Sequence, residues 1–160
     1  RLAGGDAADA LERAPDAAAA MTVAEGLGVC QAVLEMTGAH LRTREQFGVP
    51  IGSFQALQHR AVEMFVEVEL VRSINALAAM RAADDDVAER RRAVSAAKAQ
   101  LAVSGRFVTQ TAIQLHGGIG ITDEHDVGLY FKRMHALGVL CGDEEHHVRR
   151  FAEQPSFAAF

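Results

Sequence analysis

Two short segments hold the residue types best suited to grip a phosphorylated ligand. The first runs Arg44-Glu45-Gln46-Phe47-Gly48-Val49-Pro50-Ile51 and continues to Phe54-Gln55. A loop arginine beside a side-chain amide and an aromatic ring can bind a diphosphate and cover an adjoining ring system. The second is Gln114-Leu115-His116-Gly117-Gly118-Ile119-Gly120-Ile121-Thr122. Paired glycines at a helix end let a ligand approach the backbone where a Cβ would collide. Each segment also has a plainer reading. Arg44 could neutralise the carboxy-terminal end of a preceding helix, and Gly117-Gly118 could be only a helix stop.

Other candidates carry less. Glu144 and His147 stand at the i, i+3 spacing of di-iron bundles, but no matching second pair can be assembled. No metal site is expected, and Glu144-Glu145-His146-His147 reads as a charged surface turn and helix start. His116 lines the glycine segment, while His40, His59, His125 and His135 show no ligand spacing and read as surface or partly buried residues. Cys30 and Cys141 form no disulfide framework and no zinc motif. Both sit in apolar sequence and read as small buried thiols.

Helices must position these segments. The chain has 160 residues, 49% of them hydrophobic, with only 3 prolines and one tyrosine. Helix formers dominate and strand-favouring clusters are sparse. Residues 1–14, rich in Ala, Gly and Asp, read as a linker or frayed entry. Pro15 then suits the first turn of a helix reaching about Arg42. Gly48, Pro50 and Gly52 make 44–53 a loop, and Ser53 can cap a second helix. Phe54, Leu57, Ala61, Met64, Phe65 and Val68 recur on it at helical spacing. The acidic triplet Asp84-Asp85-Asp86 starts a third helix whose stripe is Val94, Ala97, Leu101, Val108, Ala112 and Leu115. Gly117-Gly118 ends it. Shorter helices are expected over about 124–136 and 143–153, and 154–160 reads as a tail. An antiparallel bundle of four helices buries these stripes most simply, so the expected class is all-α.

Bulk charge narrows the function. A net charge of −5 argues against a nucleic-acid partner, which would require a basic face. Arg90-Arg91-Arg92, flanked by Glu89 and the acidic triplet, reads as a solvated helix face. No signal peptide or membrane-spanning run is evident, and a reducing cytoplasm is the default compartment.

The two segments together, separated by two long helices, closely resemble the acyl-CoA dehydrogenase family over about residues 17–150. The resemblance implies that 15–153 form its carboxy-terminal antiparallel four-helix-bundle domain. It implies an FAD cofactor, an acyl-CoA substrate desaturated between its α and β carbons, an electron-transfer acceptor, and a homo- or hetero-oligomer of related subunits. It further implies that Arg44, Gln46 and Phe47 reach across an interface to a neighbour's FAD. Gln114, Gly117 and Gly118 would then contact the adenosine-diphosphate half of the same flavin. The family's amino-terminal helical and middle β domains do not match any of the 160 residues. This domain is therefore not expected to be active by itself.

The resemblance also exposes a gap. The family's proton-abstracting glutamate, followed by glycine, aligns with Cys141-Gly142, and the alternative location on the first helix aligns with Ala18. A thiol with an ordinary pKa of about 8.5 is a poor base unless activated. Glu12 lies too early and Asp143 too late to substitute without a shift of register. Asp143, Glu144 and Glu145 also put negative charge where relatives place small polar residues near the chain's own flavin. Three arrangements stay open: the non-catalytic member of a mixed oligomer, a homomeric enzyme with a relocated base, and a non-enzymatic oligomerisation module. A related acyl-CoA oxidase is a further variant of the enzymatic reading.

Overall fold

Helix ends fall where the punctuating residues require them. In the computed structural model, which describes residues 4–154, α1 covers Gly4–Thr43, α2 Gln55–Arg81, α3 Val87–His116, α4 Val127–Val139 and α5 Glu144–Ala152. Asp86 caps α3, its carboxylate accepting from the Ala88 and Glu89 amides. Gly117 ends α3 with φ 63, a left-handed conformation that costs glycine nothing. A 3₁₀ turn over Gly117–Ile121 follows.

Between α1 and α2 the chain makes a small hairpin of β1 (Glu45–Gln46) and β2 (Val49–Pro50), and then a 3₁₀ turn over Ile51–Ser53. Glu45 pairs with Pro50 and Gln46 with Val49, which leaves Phe47 and Gly48 at the tip with φ 55 and φ 80. Positive φ at both tip residues is what a two-residue turn between twisted strands demands.

Short connections make α1, α2 and α3 antiparallel neighbours, as a four-helix bundle requires. The central helix is α3, which packs on α1, α2, α4 and α5. Its expected stripe is the core: Val94, Ala97, Leu101, Val108, Ala112 and Leu115 are all buried. All but Val94 meet Val23, Cys30 and Val33 of α1, Met64, Val68 and Val71 of α2, and Val127 and Leu137 of α4, while Val94 packs with Ala19 and Ala20 of α1. The short α5 adds a fifth helix against α3.

Several expectations change. Residues 4–14 are helical rather than a linker, and Pro15 lies inside α1. The segment before the proline is held from outside: Glu12 pairs with Arg91 of α3 at 2.8 Å, and Arg13 with Asp85 at 2.7 Å. Of the expected tail only Gln154 is among the described residues; 1–3 and 155–160 lie outside them. Ser53 does not cap α2, because its hydroxyl is turned back to the Pro50 carbonyl at 2.7 Å, and Phe54 takes the cap position without a side-chain bond. Phe65 is half-exposed, since α2 turns Met64, Val68 and Val71 to the core and leaves a second apolar strip outside. By length and composition α1, over Ala10–Thr43, could cross a membrane, contrary to the sequence reading. Its apolar content has another explanation here, because Val23, Cys30 and Val33 are fully buried in the bundle.

The largest revision concerns charge. Arg90 is fully buried, not solvated, and so is Asp16 of α1; they pair at 3.0 Å. Arg150 of α5 binds the second oxygen of the same carboxylate, and its other guanidinium nitrogen donates to Ser95 Oγ at 3.2 Å. Successive helical residues point about 100° apart, so three adjacent arginines cannot share one face. Only Arg91 and Arg92 stay half-exposed, paired with Glu12 and Glu89.

Candidate cofactor-binding site

Both motif segments lie at one end of the bundle. The Arg44 amide donates to the His40 carbonyl at 2.9 Å, so the first loop leaves α1 one turn beyond His40. His116 is the last residue of α3 and immediately precedes the glycine pair. The His40 and His116 rings stack with centroids 4.5 Å apart, which joins the two segments directly. His125, in the loop before α4, lies against the other side of the junction, 4.4 Å from His116. The sequence spacing of these histidines gave no hint of this cluster.

The side chains at this end face outward. Phe47 is 91% exposed although its φ of 55 is uncommon for a bulky residue. Its ring makes one edge contact, with Phe54, at 6.1 Å. Arg44, Gln46 and Gln114 are exposed, and Arg44 has no ion-pair partner among the described residues. A Cβ added at Gly117 or Gly118 would meet no atom of the chain within 4 Å. Space at Gly118 is therefore free for something other than this chain's own packing. Gly120 differs: there a Cβ would meet the Ile113 carbonyl oxygen at 2.8 Å.

His116 supplies a further polar atom. It is 5% exposed, and its Nδ1 lies 2.8 Å from the Ala112 carbonyl oxygen. A carbonyl only accepts, so Nδ1 carries the hydrogen and Nε2 of the neutral ring is a bare acceptor. That Nε2 is buried without a partner. Burial first, then the neighbouring His40 and His125, pushes the His116 pKa below the ordinary histidine value. His40 shifts the same way, through burial and then through His125 and Arg44. An exposed guanidinium, an exposed ring and open glycine backbone form a surface that fits a dinucleotide such as FAD.

The two locations where relatives carry a base come together elsewhere on the bundle. The Thr22 hydroxyl lies 2.9 Å from the Ala18 carbonyl oxygen and 3.7 Å from Cys141 Sγ. Neither position holds a carboxylate. Contrary to the sequence reading, Cys141 is exposed, because it occupies a left-handed turn with φ 61 between α4 and α5. Cys30 is the buried thiol, and burial raises its pKa to about 12.

Two buried side chains fix the Cys141 turn. Lys98 Nζ donates to the carbonyls of Gly138 at 3.0 Å and Gly142 at 2.8 Å. Burial pushes the Lys98 pKa down. His147, read from sequence as a surface residue, is 1% exposed, with Nε2 donating to the Cys141 carbonyl at 2.9 Å. Its Nδ1 accepts from Ser95 at 3.4 Å, and burial pushes its pKa down to about 4.

Nearby carboxylates are engaged. Glu12 binds Arg91 at 2.8 Å, and Asp143 caps α5 by accepting from the His146 amide at 2.9 Å. Glu144 pairs with Arg106 at 3.2 Å beside a groove of about 330 Å³ between α3 and α4, which offsets part of the negative charge there.

Known proteins carry the same kind of helical bundle. The family profile described as "Acyl-CoA dehydrogenase, C-terminal domain" matches residues 9–155. The acyl-CoA dehydrogenase IpdE2 of Mycolicibacterium smegmatis is 42% identical over 137 residues, covering 84% of this chain and 41% of that protein. The acyl-CoA dehydrogenase FadE34 of Mycobacterium tuberculosis is 38% identical over 139 residues, covering 87% of this chain and 20% of that protein. Among solved structures, a chain of the ChsE4–ChsE5 complex of Mycobacterium tuberculosis superposes with a TM-score of 0.83 at 32% identity, covering 96% of this chain and 40% of that one. The chain belongs to the acyl-CoA dehydrogenase family, as its carboxy-terminal helical domain. It spans less than half the length of these relatives.

Proposed function

We propose that this domain serves a flavin-dependent acyl-CoA dehydrogenase as a subunit-contact domain and as part of a neighbouring subunit's FAD site, within the non-catalytic member of a mixed oligomer. The observation that carries the flavin reading is the convergence of Arg44, Phe47, Gln114 and the open Gly117-Gly118 backbone at one pole, joined by stacked imidazoles. Arg44 would hold the diphosphate, Gln46 and Gln114 would donate amide hydrogens, and Phe47 would cover a ring. FAD, when bound, supplies the hydride acceptor for α,β-desaturation of an acyl-CoA thioester, with electrons passing on to a separate acceptor. A reducing cytoplasm suits the unpaired thiols.

The non-catalytic role rests on Cys141 and Ala18. Desaturation needs a base beside the α carbon, and neither position offers one. The ChsE4–ChsE5 structure is a complex of two proteins, which supports a mixed assembly for this chain. The outer strip of α2, formed by Val62, Phe65, Val66, Leu70, Leu77 and Met80, is an exposed apolar face that a second subunit would bury.

The test is flavin per chain in the full-length protein, purified alone and co-expressed with its nearest related neighbour. Little flavin alone, rising to about one per pair, is the expected result, and Arg44→Ala should lower it without loss of helix content. About one flavin per chain in the protein purified alone would refute the silent-partner role, and unaltered flavin in Arg44→Ala would refute the assigned contact.

A further inference from the structure

The His40, His116 and His125 cluster sits between the two halves of the cradle without reaching its open face. His40 is half-buried one turn before Arg44, His116 is buried directly before Gly117, and His125 leads into α4. Among the described residues no group of three His, Cys, Asp or Glu side chains is placed to hold a metal ion. Ring stacking therefore has to account for the cluster.

A local bond ties the central ring to its neutral form. His116 Nδ1–H is committed to the Ala112 carbonyl, so a second proton would sit on Nε2, a buried atom with no acceptor. His125 Nδ1 accepts the Val127 amide at 3.2 Å, which fixes that ring at the start of α4. The charged and titratable groups acting on the rings are few. From α1 come His40 and Arg44, and from the loop before α4 comes His125, flanked in sequence by Asp123, Glu124 and Asp126, all exposed. The 3₁₀ turn between them, Gly117–Ile121, carries no charge. A cation in the stack would face other imidazoles and a guanidinium at close range, in a site with little water.

We propose that this imidazole stack is a proton-sensitive joint that holds the Arg44 loop and the Gly117-Gly118 turn in register for one dinucleotide. While the rings are neutral His40 and His116 pack face against face, with His125 tilted against His116, and the two halves stay together. A proton added to His116 buries an unpaired donor, so the halves separate and the ligand is released. Both His40 and His116 have pKa values below the ordinary histidine value, so the joint is closed at neutral pH. The ordered end loses stability as pH falls below about 6.5. The proposal rests on the flavin reading above and adds three positioning residues to it.

The experiment measures FAD dissociation from the intact oligomer, by flavin fluorescence, between pH 7.5 and 5.5. For a one-proton joint whose open form titrates at the ordinary histidine value, Kd should rise at most about tenfold between pH 7.5 and 5.5. In His116→Phe, which keeps a flat ring without a titrating group, the ratio of Kd at pH 5.5 to Kd at pH 7.5 should fall by most of that factor. His40→Phe, which leaves His116 to titrate against an apolar ring, is the second variant and should keep part of it, and circular dichroism at both pH values verifies that each remains folded. A wild-type Kd that is flat across this range overturns the joint and leaves the flavin reading standing. Tighter binding on acidification, as simple attraction between imidazolium and phosphate would give, also overturns it. So does an equal pH ratio in His116→Phe and wild type. Absence of flavin at every pH and with every partner would defeat the flavin reading, and the joint with it.

Discussion

Replacing Asp16 with asparagine tests whether the buried ion network orders the bundle. Asp16 and Arg90 are both 0% exposed, and the carboxylate is shared with Arg150, so one residue ties α1, α3 and α5. The asparagine keeps the shape and removes the charge. The amide offers one acceptor oxygen to two guanidinium groups, so Arg90 or Arg150 faces an NH2 donor instead, and Arg90 Nη2 already lacks a partner. Leaving a charge buried without its counter-ion costs about 3–5 kcal/mol. In a chain of this length that lowers the thermal midpoint by about 10 °C. The comparison is Glu12→Gln, which breaks the half-exposed pair with Arg91 on the same two helices. An exposed pair contributes at most about 1 kcal/mol. Thermal unfolding of the intact protein, followed by far-ultraviolet circular dichroism, reads both. The double replacement Asp16→Leu with Arg90→Met should recover most of the loss, since apolar groups of similar size need no counter-ion. Equal midpoints for Asp16→Asn and Glu12→Gln, or a double variant no better than the single one, would refute the reasoning.

Acid should weaken the α5 contact. His147 titrates at about 4 when folded against about 6.5 when unfolded, so the unfolded chain binds more protons between those values and stability falls as pH drops through that window, by up to about 3 kcal/mol. Urea midpoints measured from pH 7 to 4 should show this slope in the wild type and much less of it in His147→Gln. At the cradle, Gly120→Ala drives a Cβ to 2.8 Å from the Ile113 carbonyl oxygen and 3.0 Å from His116 Cβ. It should cost about 1–3 kcal/mol and reduce flavin retention, whereas Gly118→Ala, in open space, should leave the thermal midpoint unchanged.

The positions legible in the sequence were those governed by local rules. Asp86 capped α3 and Gly117 ended it because an acidic cap and a left-handed glycine act on their immediate neighbours. The α3 stripe was legible because every member faces the same core. Pro15 misled because the helix before it is held by Arg91 and Asp85, distant partners that no local rule sees. Arg90 misled for a different reason, and here a signal existed. It stands four residues before Val94 and seven before Ala97, on the apolar stripe itself. Asp16 has the same relation to Ala19, Ala20 and Val23 on α1. Opposite charges on the core stripes of two long helices point to a buried pair. Of the site, the Arg44 and Gly117-Gly118 segments could be found as motifs. The imidazole stack could not, since His40, His116 and His125 come from three separate elements.

The same contrast bears on Cys141. Its turn is held in a left-handed conformation by Lys98 and His147, both buried, which spend their hydrogen bonds on the carbonyls of Gly138, Cys141 and Gly142. Those carbonyls close the end of α4 and start the turn into α5, so the bundle needs these bonds whatever side chain stands at position 141. The shape of the turn is then a property of the fold and carries no information about catalysis. Chemistry at this position depends on the side chain alone. An exposed thiol there, with alanine at the alternative position beyond Thr22, leaves a framework without a base. The cradle at the opposite motifs is different: the hairpin tip demands a positive φ but not a bulky ring, and Phe47, 91% exposed there, gives the bundle little packing. Features the fold does not require are where selection for a ligand would leave its mark. On that criterion the Arg44 end, rather than the Cys141 turn, is where the proposed flavin contact is to be tested.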